Sequence, residues 1–268
     1  MAESQIQILS DLHLESPPSY DQFSITPHAP HLALLGDIGW VKEPGLFDFF
    51  RRQLASFETV FFLLGNHEPY FSSWPRARAQ LRSFEDEMNQ QFQQGEIRGR
   101  FVFLDRARYD LSQSVTILGC TLHSNITSEQ DHRVRYGTID FYRILDWSVE
   151  GHREAHREDL AWLNEQVDSM SCSEPERKIV ILTHHSPCLD RRAMDPRHAR
   201  SAVSSAFVTD VSNEACWKSQ SVKVWAFGHT HFNCDYEDKE AGKRFVTNQR
   251  GSHFGLSKGF DEGKVIRV

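Results

Sequence analysis

The chain has 268 residues, 39% of them apolar and 12% aromatic, with a formal net charge of −7. That is enough apolar material for one large domain or two small ones. The acidic balance argues against a non-specific nucleic-acid binder, which needs a basic footprint, but not against a small anionic substrate held at a local cationic or metal site.

The opening stretch, MAESQIQILSDLHLE, has no basic leader and no long apolar segment, so it does not read as a secretory signal. Within it IQIL (6–9) reads as a strand, and HLALL (31–35) as the next. Residues 44–57 place Leu46, Phe50, Leu54 and Phe57 at helical spacing after Pro44. TVFFLL (59–64) is a strand, and 75–92 a helix with Ala77, Leu81, Phe84, Met88 and Phe92 on one face. FVFL (101–104) and VTIL (115–118) follow as strands. The polar stretch 121–153 has no clear period and reads as a long functional or mobile loop. Residues 150–169 are rich in helix formers, with Leu160, Leu163 and Val167 along one side. KIVIL (178–182), VKVWAF (222–227), RFVTN (244–248) and KVIRV (264–268) complete the strands.

Early alternation and later clustering of strands predict a layered α/β domain with a mixed sheet, spanning 1–268 as a single domain. No segment approaches the roughly 20 apolar residues of a membrane helix. The five cysteines are odd in number and lack CxxC spacing. Reduced thiols and a cytoplasmic location are therefore expected, with no membrane partner.

Polar residues recur immediately after the strands. IQILS is followed by Asp11-Leu12-His13, HLALL by Gly36-Asp37, and TVFFLL by Gly65-Asn66-His67-Glu68. KIVILT is followed by His184-His185, and VKVWAF by Gly228-His229-Thr230-His231. In layered α/β proteins ligands bind beyond the carboxyl ends of strands. Taken singly, Asp11 or Asp37 reads as a turn residue or helix cap, and each histidine as a loop residue. Together, five strand ends that deliver Asp, Asn and His to one edge describe a metal site.

The ordered blocks DxH, GD, GNHE, HH and GHTH resemble the calcineurin-like metallophosphoesterases, and they run from residue 11 to 231. The resemblance implies an αββα sandwich with mixed β-sheets flanked by helices and a dinuclear site at the C-terminal strand edge. It implies that Asp11, His13 and His231 hold one metal. Asn66, His229 and one of His184 or His185 would hold the other. His184 is favoured because it follows the strand directly, which leaves His185 as a substrate contact. Asp37 would bridge both metals, and His67 would act as general acid rather than ligand. His229 and His231, at i and i+2 of extended chain, would then diverge to serve different metals. The ligand set lacks thiolate, which suits manganese, iron, zinc or cobalt over a structural zinc site. Two such metals roughly 3.5–4 Å apart clamp an in-line displacement and supply a bridging hydroxide near neutral pH.

The implied activity is metal-dependent hydrolysis of a small phosphomonoester or phosphodiester. The serine/threonine protein phosphatase branch carries GDxxDRG, whereas this chain reads GDIGWVKEPG with no arginine in that register. A nuclease of the same superfamily and a non-catalytic module on the same fold are the rival readings. The acidic charge counts against the first, and the complete ligand set against the second. The segment 131–143, DHRVRYGTIDFYR, is expected to loop over the metal edge, with Arg133 and Arg135 gripping substrate phosphate. His28, His31, His132, His152, His156 and His198 are expected on loops or solvated helix faces. Asn248, Arg250 and His253 are weighed equally between structural and functional roles.

Overall fold

A computed structural model describes residues 3–198, 200–252 and 255–268. The chain first alternates strand and helix: β1 (Gln5–Leu9), β2 (His31–Leu34), α1 (Pro44–Ser56), β3 (Thr59–Phe62), α2 (Trp74–Gln93) and β4 (Arg100–Phe103). There follow β5 (Ala107–Asp110), β6 (Val115–Cys120), α3 (Asp131–Gly137), α4 (Asp140–Arg143), α5 (Val149–Ser173) and β7 (Lys178–Thr183). The last part holds α6 (Ala215–Lys218), β8 (Val222–Phe227), β9 (Asp235–Asp238), β10 (Lys243–Thr247), β11 (Gly251–Ser252), β12 (Gly255–Leu256) and β13 (Val265–Arg267). Among the described residues no helix is long and apolar enough to cross a membrane.

One sheet has the order β13-β1-β2-β3-β4, parallel from β1 to β4 with β13 antiparallel at its edge. The other has the order β5-β6-β7-β8-β10-β9, with a parallel centre and antiparallel strands at both edges. Alternate side chains from the two sheets interleave in a shared core. Ile6, Ile8, Ala33 and Phe61 meet Ile117, Val180, Leu182 and Val224 there. On the outer face of the first sheet, α1 and α2 bury Phe50, Leu54, Leu81 and Phe84 against Val60, Phe62 and Phe101. On the outer face of the second, α5 lays Leu163, Val167 and Met170 over Leu118, Ile181 and Trp225. This is the expected αββα sandwich with two mixed sheets. The central strands are buried on both faces, and for that reason they read as unbroken apolar runs.

Helix starts follow local chemistry. Both α1 and α2 carry a proline in the first turn, where its fixed φ suits the helix and its missing N–H costs nothing. Ser148 caps α5 by accepting the Gly151 N–H at 3.1 Å. Every apolar run expected as a strand is one. Sequence reading missed β5 and β9, polar edge strands (ARYD and DYED) whose residues are alternately half-exposed and exposed. The expected loop over 131–143 is corrected to two short helices, α3 and α4.

Phe50 anchors the first helical layer, with its ring 4.7 Å from Phe62, 5.3 Å from Phe101 and 5.9 Å from Phe84 between centroids. Phe50→Ala should cost about 3–5 kcal/mol through lost transfer energy and a residual cavity. Urea denaturation at constant m-value measures it.

Candidate metal centre

Parallel strands end at the same edge, so the turns after β1, β2, β3, β7 and β8 gather there. The two sheets are also joined at this edge. Ser10 pairs with Gln249, and Ser10 N–H donates to Asn248 O at 2.9 Å. The turns use uncommon backbone. Nine described non-glycine residues have positive φ, and five of them are Asp11, His13, Asp37, His229 and His231, at 53°, 48°, 55°, 69° and 49°. Non-glycine residues avoid this left-handed region unless the surroundings enforce it. Hydrogen bonds do so here: Asp11 N–H to Gly36 O at 3.0 Å, His13 N–H to Asp37 O at 2.9 Å, and Gly228 N–H to His184 O at 2.9 Å. Close approach forces glycine at two points. At Gly36, with φ +84°, a Cβ would lie 2.6 Å from His184 Nδ1, and at Gly228 it would overlap Ser10 Oγ.

The side chains form two adjoining groups. In one, His13 Nε2 lies 3.1 Å from His231 Nε2, which is 3.3 Å from Asp11 Oδ1. In the other, His184 Nε2 lies 3.1 Å from Asn66 Oδ1 and 3.2 Å from His229 Nδ1. Asp37 stands between them, with Oδ1 3.6 Å from His184 Nε2 and Oδ2 3.9 Å from His13 Nε2. His184, not His185, faces this centre. His67 borders it without joining either group; its Nε2 is 4.0 Å from Asp37 Oδ2.

The donor set fits cations. Among the described residues no lysine or arginine pairs with Asp11 or Asp37, although both are essentially fully buried. Burial raises the Asp37 carboxyl well above the usual range; His67 opposes this, while Glu68 and Asp11 add to it. For Asp11 burial also acts upward, but the His231 hydrogen bond and neighbouring imidazoles outweigh it and lower the pKa. Burial lowers His13 and His229 and brings His184 down to about 4. Neutral imidazoles offer lone pairs, and a metal ion uses those lone pairs where a shared proton could satisfy only one of each facing pair.

Four supporting residues carry roles that the sequence did not assign. Glu68 is fully buried and accepts the N–H groups of Asp37 at 3.0 Å, Ile38 at 2.7 Å and Gly65 at 2.8 Å. It thereby locks the GD turn to the GNHE turn, and burial raises its pKa to about 7 against those three hydrogen bonds. Glu15 Oε1 lies 3.3 Å from His13 Nδ1 and 2.9 Å from His67 Nδ1. Asp140 Oδ1 accepts from Asn66 Nδ2 at 3.0 Å and from the Tyr70 hydroxyl at 2.5 Å, which turns the Asn66 amide oxygen toward His184. Gln249 accepts the His231 N–H at 2.5 Å and donates to Thr230 Oγ1 at 3.0 Å. Glu68 closes the GNHE block and Glu15 stands two residues after DxH; only tertiary contact identifies Asp140 and Gln249.

Other candidates lie elsewhere. His185 is 1% exposed, packs 4.3 Å from the His229 ring between centroids, and has no hydrogen-bond partner at either nitrogen. Arg135 is engaged by Asp131 at 3.2 Å and Glu150 at 2.6 Å. Neither Arg133, Arg135 nor His185 lines the cleft that opens from the centre. The expected solvated placement of His152 and His156 is corrected: both are buried on α5. His123 is buried beside them, with Nδ1 3.1 Å from Asp159 Oδ2. Asn248 donates to Ile8 O at 2.7 Å and Arg250 to Leu12 O at 2.9 Å, so both brace the β1 region. His253 lies outside the described residues.

The cleft occupies about 540 Å³, with Asp37, Asn66, His67, His229 and His231 at its floor. The sequence model of the calcineurin-like phosphoesterases matches residues 5–233. An uncharacterized protein, L509, of Acanthamoeba polyphaga mimivirus is 26% identical over 264 residues, covering 92% of this chain and 90% of that protein. A phosphopantetheinyl hydrolase from Mycobacterium tuberculosis has a similar structure, with TM-score 0.68 at 16% identity, over 100% of this chain and 96% of that one. A dimetal phosphatase from Danio rerio matches at TM-score 0.54 and 13% identity, over 91% and 86% of the two chains.

The Glu15–His67 contact has a testable pH signature in the metal-free protein. Burial lowers the His67 pKa, but the Asp37 charge and the Glu15 hydrogen bond outweigh it and raise the value to about 9. Stability from a raised histidine is fully present below the ordinary value near 6.5 and is lost as pH climbs through the folded value. The gap in Tm between wild type and Glu15→Gln should therefore be wider at pH 6 than above pH 9. Thermal melts across that range measure it; a gap independent of pH would contradict the pairing.

Proposed function

Because the chain belongs to the calcineurin-like phosphoesterase family, we propose that it hydrolyses a phosphate ester of a small molecule at a pair of transition-metal ions. The observation that carries this reading is Asp37, whose two oxygens face separate imidazole groups at 3.6 and 3.9 Å. Asp11, His13 and His231 would hold one ion, and Asn66, His184 and His229 the other, with Asp37 shared. Manganese, iron or zinc suits these nitrogen and oxygen donors. When bound, such a pair supplies Lewis acidity at the phosphoryl group and lowers the pKa of a water enough to make it a nucleophile near neutral pH.

The chain's own residues do the rest. His67 Nδ1 is occupied by Glu15 at 2.9 Å, which leaves Nε2 for the cleft. Its ring stacks on Tyr70 at 4.4 Å between centroids, which fixes its direction. Held as imidazolium, it donates its Nε2 proton to the departing alkoxide as general acid. Substrate contacts belong to the cleft wall rather than to Arg133, Arg135 or His185. The whole chain acts as one catalytic domain in the cytoplasm. The acidic net charge counts against a nuclease, and the filled ligand positions count against a non-catalytic module.

A screen of phosphate monoesters, cyclic nucleotides and linear diesters with added Mn²⁺ tests the activity. A phosphopantetheinyl ester joins the panel because the mycobacterial neighbour is named for that substrate. Exhaustive chelation should abolish turnover, and restored metal should return it. Asp37→Ala should lose metal, whereas His67→Ala should keep metal near wild type and lose roughly 10²–10⁴-fold in turnover. An activated aryl phosphate should suffer less from His67→Ala than an alkyl phosphate. Equal metal loss in the two variants, by elemental analysis, would overturn the assignment of roles.

A further inference from the structure

The cleft has two walls outside the metal centre. One is Gly137–Asp140, between α3 and α4; the other comes from residues within 194–198 and 201–208, between β7 and β8. They close on each other at one end, where a Cβ on Gly137 would lie 3.4 Å from Val203 Cγ1. The later part of the second wall, residues 203–208, is fastened in place. Gln130 donates to Ser204 Oγ at 3.2 Å and accepts the Ser205 N–H at 2.9 Å. Asn125 N–H donates to Thr209 Oγ1 at 2.7 Å. Val134, Val149 and Ala206 form a small core beneath, joined by Phe141, Val203 and Phe207. A wall tied by both hydrogen bonds and packing is preformed rather than induced.

Its surface chemistry is selective. Ile139, Met194, Val203, Phe207 and Val208 make it mainly apolar, Thr138, His198, Ser201 and Ser204 add uncharged hydroxyls and one imidazole, and among the described residues no lysine or arginine lines it. The guanidinium that adjoins the wall is that of Arg197, which does not itself line the cleft and pairs with the lining residue Asp195. Asp140 is committed to Asn66 and Tyr70. Asp195 is committed to Arg197, at 2.6 Å. A second anionic group on a substrate would meet mainly apolar side chains and carboxylates, with neutral hydroxyls and one imidazole, and the one adjoining guanidinium already paired to Asp195, so it would leave water without gaining an unpaired lysine or arginine.

We propose that this cleft receives an uncharged, mainly apolar alcohol portion of the ester, and that it discriminates against esters bearing a second anionic group. The inference rests on the phosphoesterase reading for its chemistry but on the wall alone for its selectivity. Ile139, 47% exposed at the start of α4, is the wall position where charge is added with least disturbance to packing.

The test compares hexyl phosphate with 6-(phosphonooxy)hexanoate. The second differs by a terminal carboxylate far from the ester oxygen, so leaving-group basicity is close. In the Mn²⁺-loaded protein the carboxylated ester should have kcat/KM lower by about tenfold or more, the cost of an unpaired charge against an apolar wall. Binding of hexylphosphonate and 6-phosphonohexanoate, measured by calorimetry, should show the same order without turnover. Ile139→Lys should shrink or invert both ratios, and Ile139→Met should keep them, with thermal melts checking that each variant folds. Equal binding of the two phosphonates, or an unchanged ratio in folded Ile139→Lys, would overturn the cleft assignment. A binding preference that persists while no ester is ever hydrolysed would sink the phosphoesterase reading and leave the cleft assignment standing.

Discussion

Asp37 sets the terms for the rest of this structure. Its carboxylate is buried between two groups of imidazoles, and among the described residues no lysine or arginine balances it. A buried charge of this kind costs several kcal/mol unless something compensates it. His67, with Nε2 4.0 Å away and its pKa raised by this charge, offsets part of it, but burial pushes His13, His184 and His229 toward their neutral forms. A bound cation resolves the conflict, since it takes lone pairs from neutral nitrogen and charge from carboxylate together. Metal binding should therefore be tied to the stability of this edge, with the ligand turns gaining most.

The backbone around Asp37 follows from that need. Five of the proposed ligand residues sit at positive φ, where each costs of order 1–3 kcal/mol on its own. Glu68 offsets part of this by satisfying three turn N–H groups that burial would otherwise strand. Gly36 and Gly228 allow strand ends from different sheets to approach within side-chain distance. The two-sheet sandwich thus serves less as a container than as a means of aiming strand ends.

Much of this was legible in the sequence because the layers are deeply buried. Strands covered on both faces leave unbroken apolar runs, and the polar residues that end them mark where the runs emerge at the edge. The ligand blocks were legible for the same reason, each standing directly behind such a run. What failed were elements whose role comes from tertiary context. The edge strands β5 and β9 carry no apolar signal. On α5, His152, His156 and Asp159 continue the stripe of Leu163, Val167 and Met170 toward the helix start, at spacings of three and four. Periodicity was present, but apolarity was not, so these buried residues read as solvated. Their partners explain the burial: Asp159 holds His123, and Ser124 meets His152 Nε2 at 3.0 Å.

The site divides into parts with different origins. The proposed metal ligands stand on strand ends, which the double core fixes. The cleft walls come from chain inserted between β6 and β7 and between β7 and β8, outside that core. Such segments can change a bound group while the hydrolytic centre stays the same, so fold and family leave the substrate open. Asp140 limits this independence. It belongs to α4 on the cleft wall, yet it orients the amide of Asn66 at 3.0 Å. Any change that moves α4 to admit a different alcohol also moves the hydrogen bond that aims the Asn66 amide oxygen at His184 and the proposed metal position. Selectivity and metal geometry are coupled through that one carboxylate, and the wall can vary freely only where it leaves Asp140 in place.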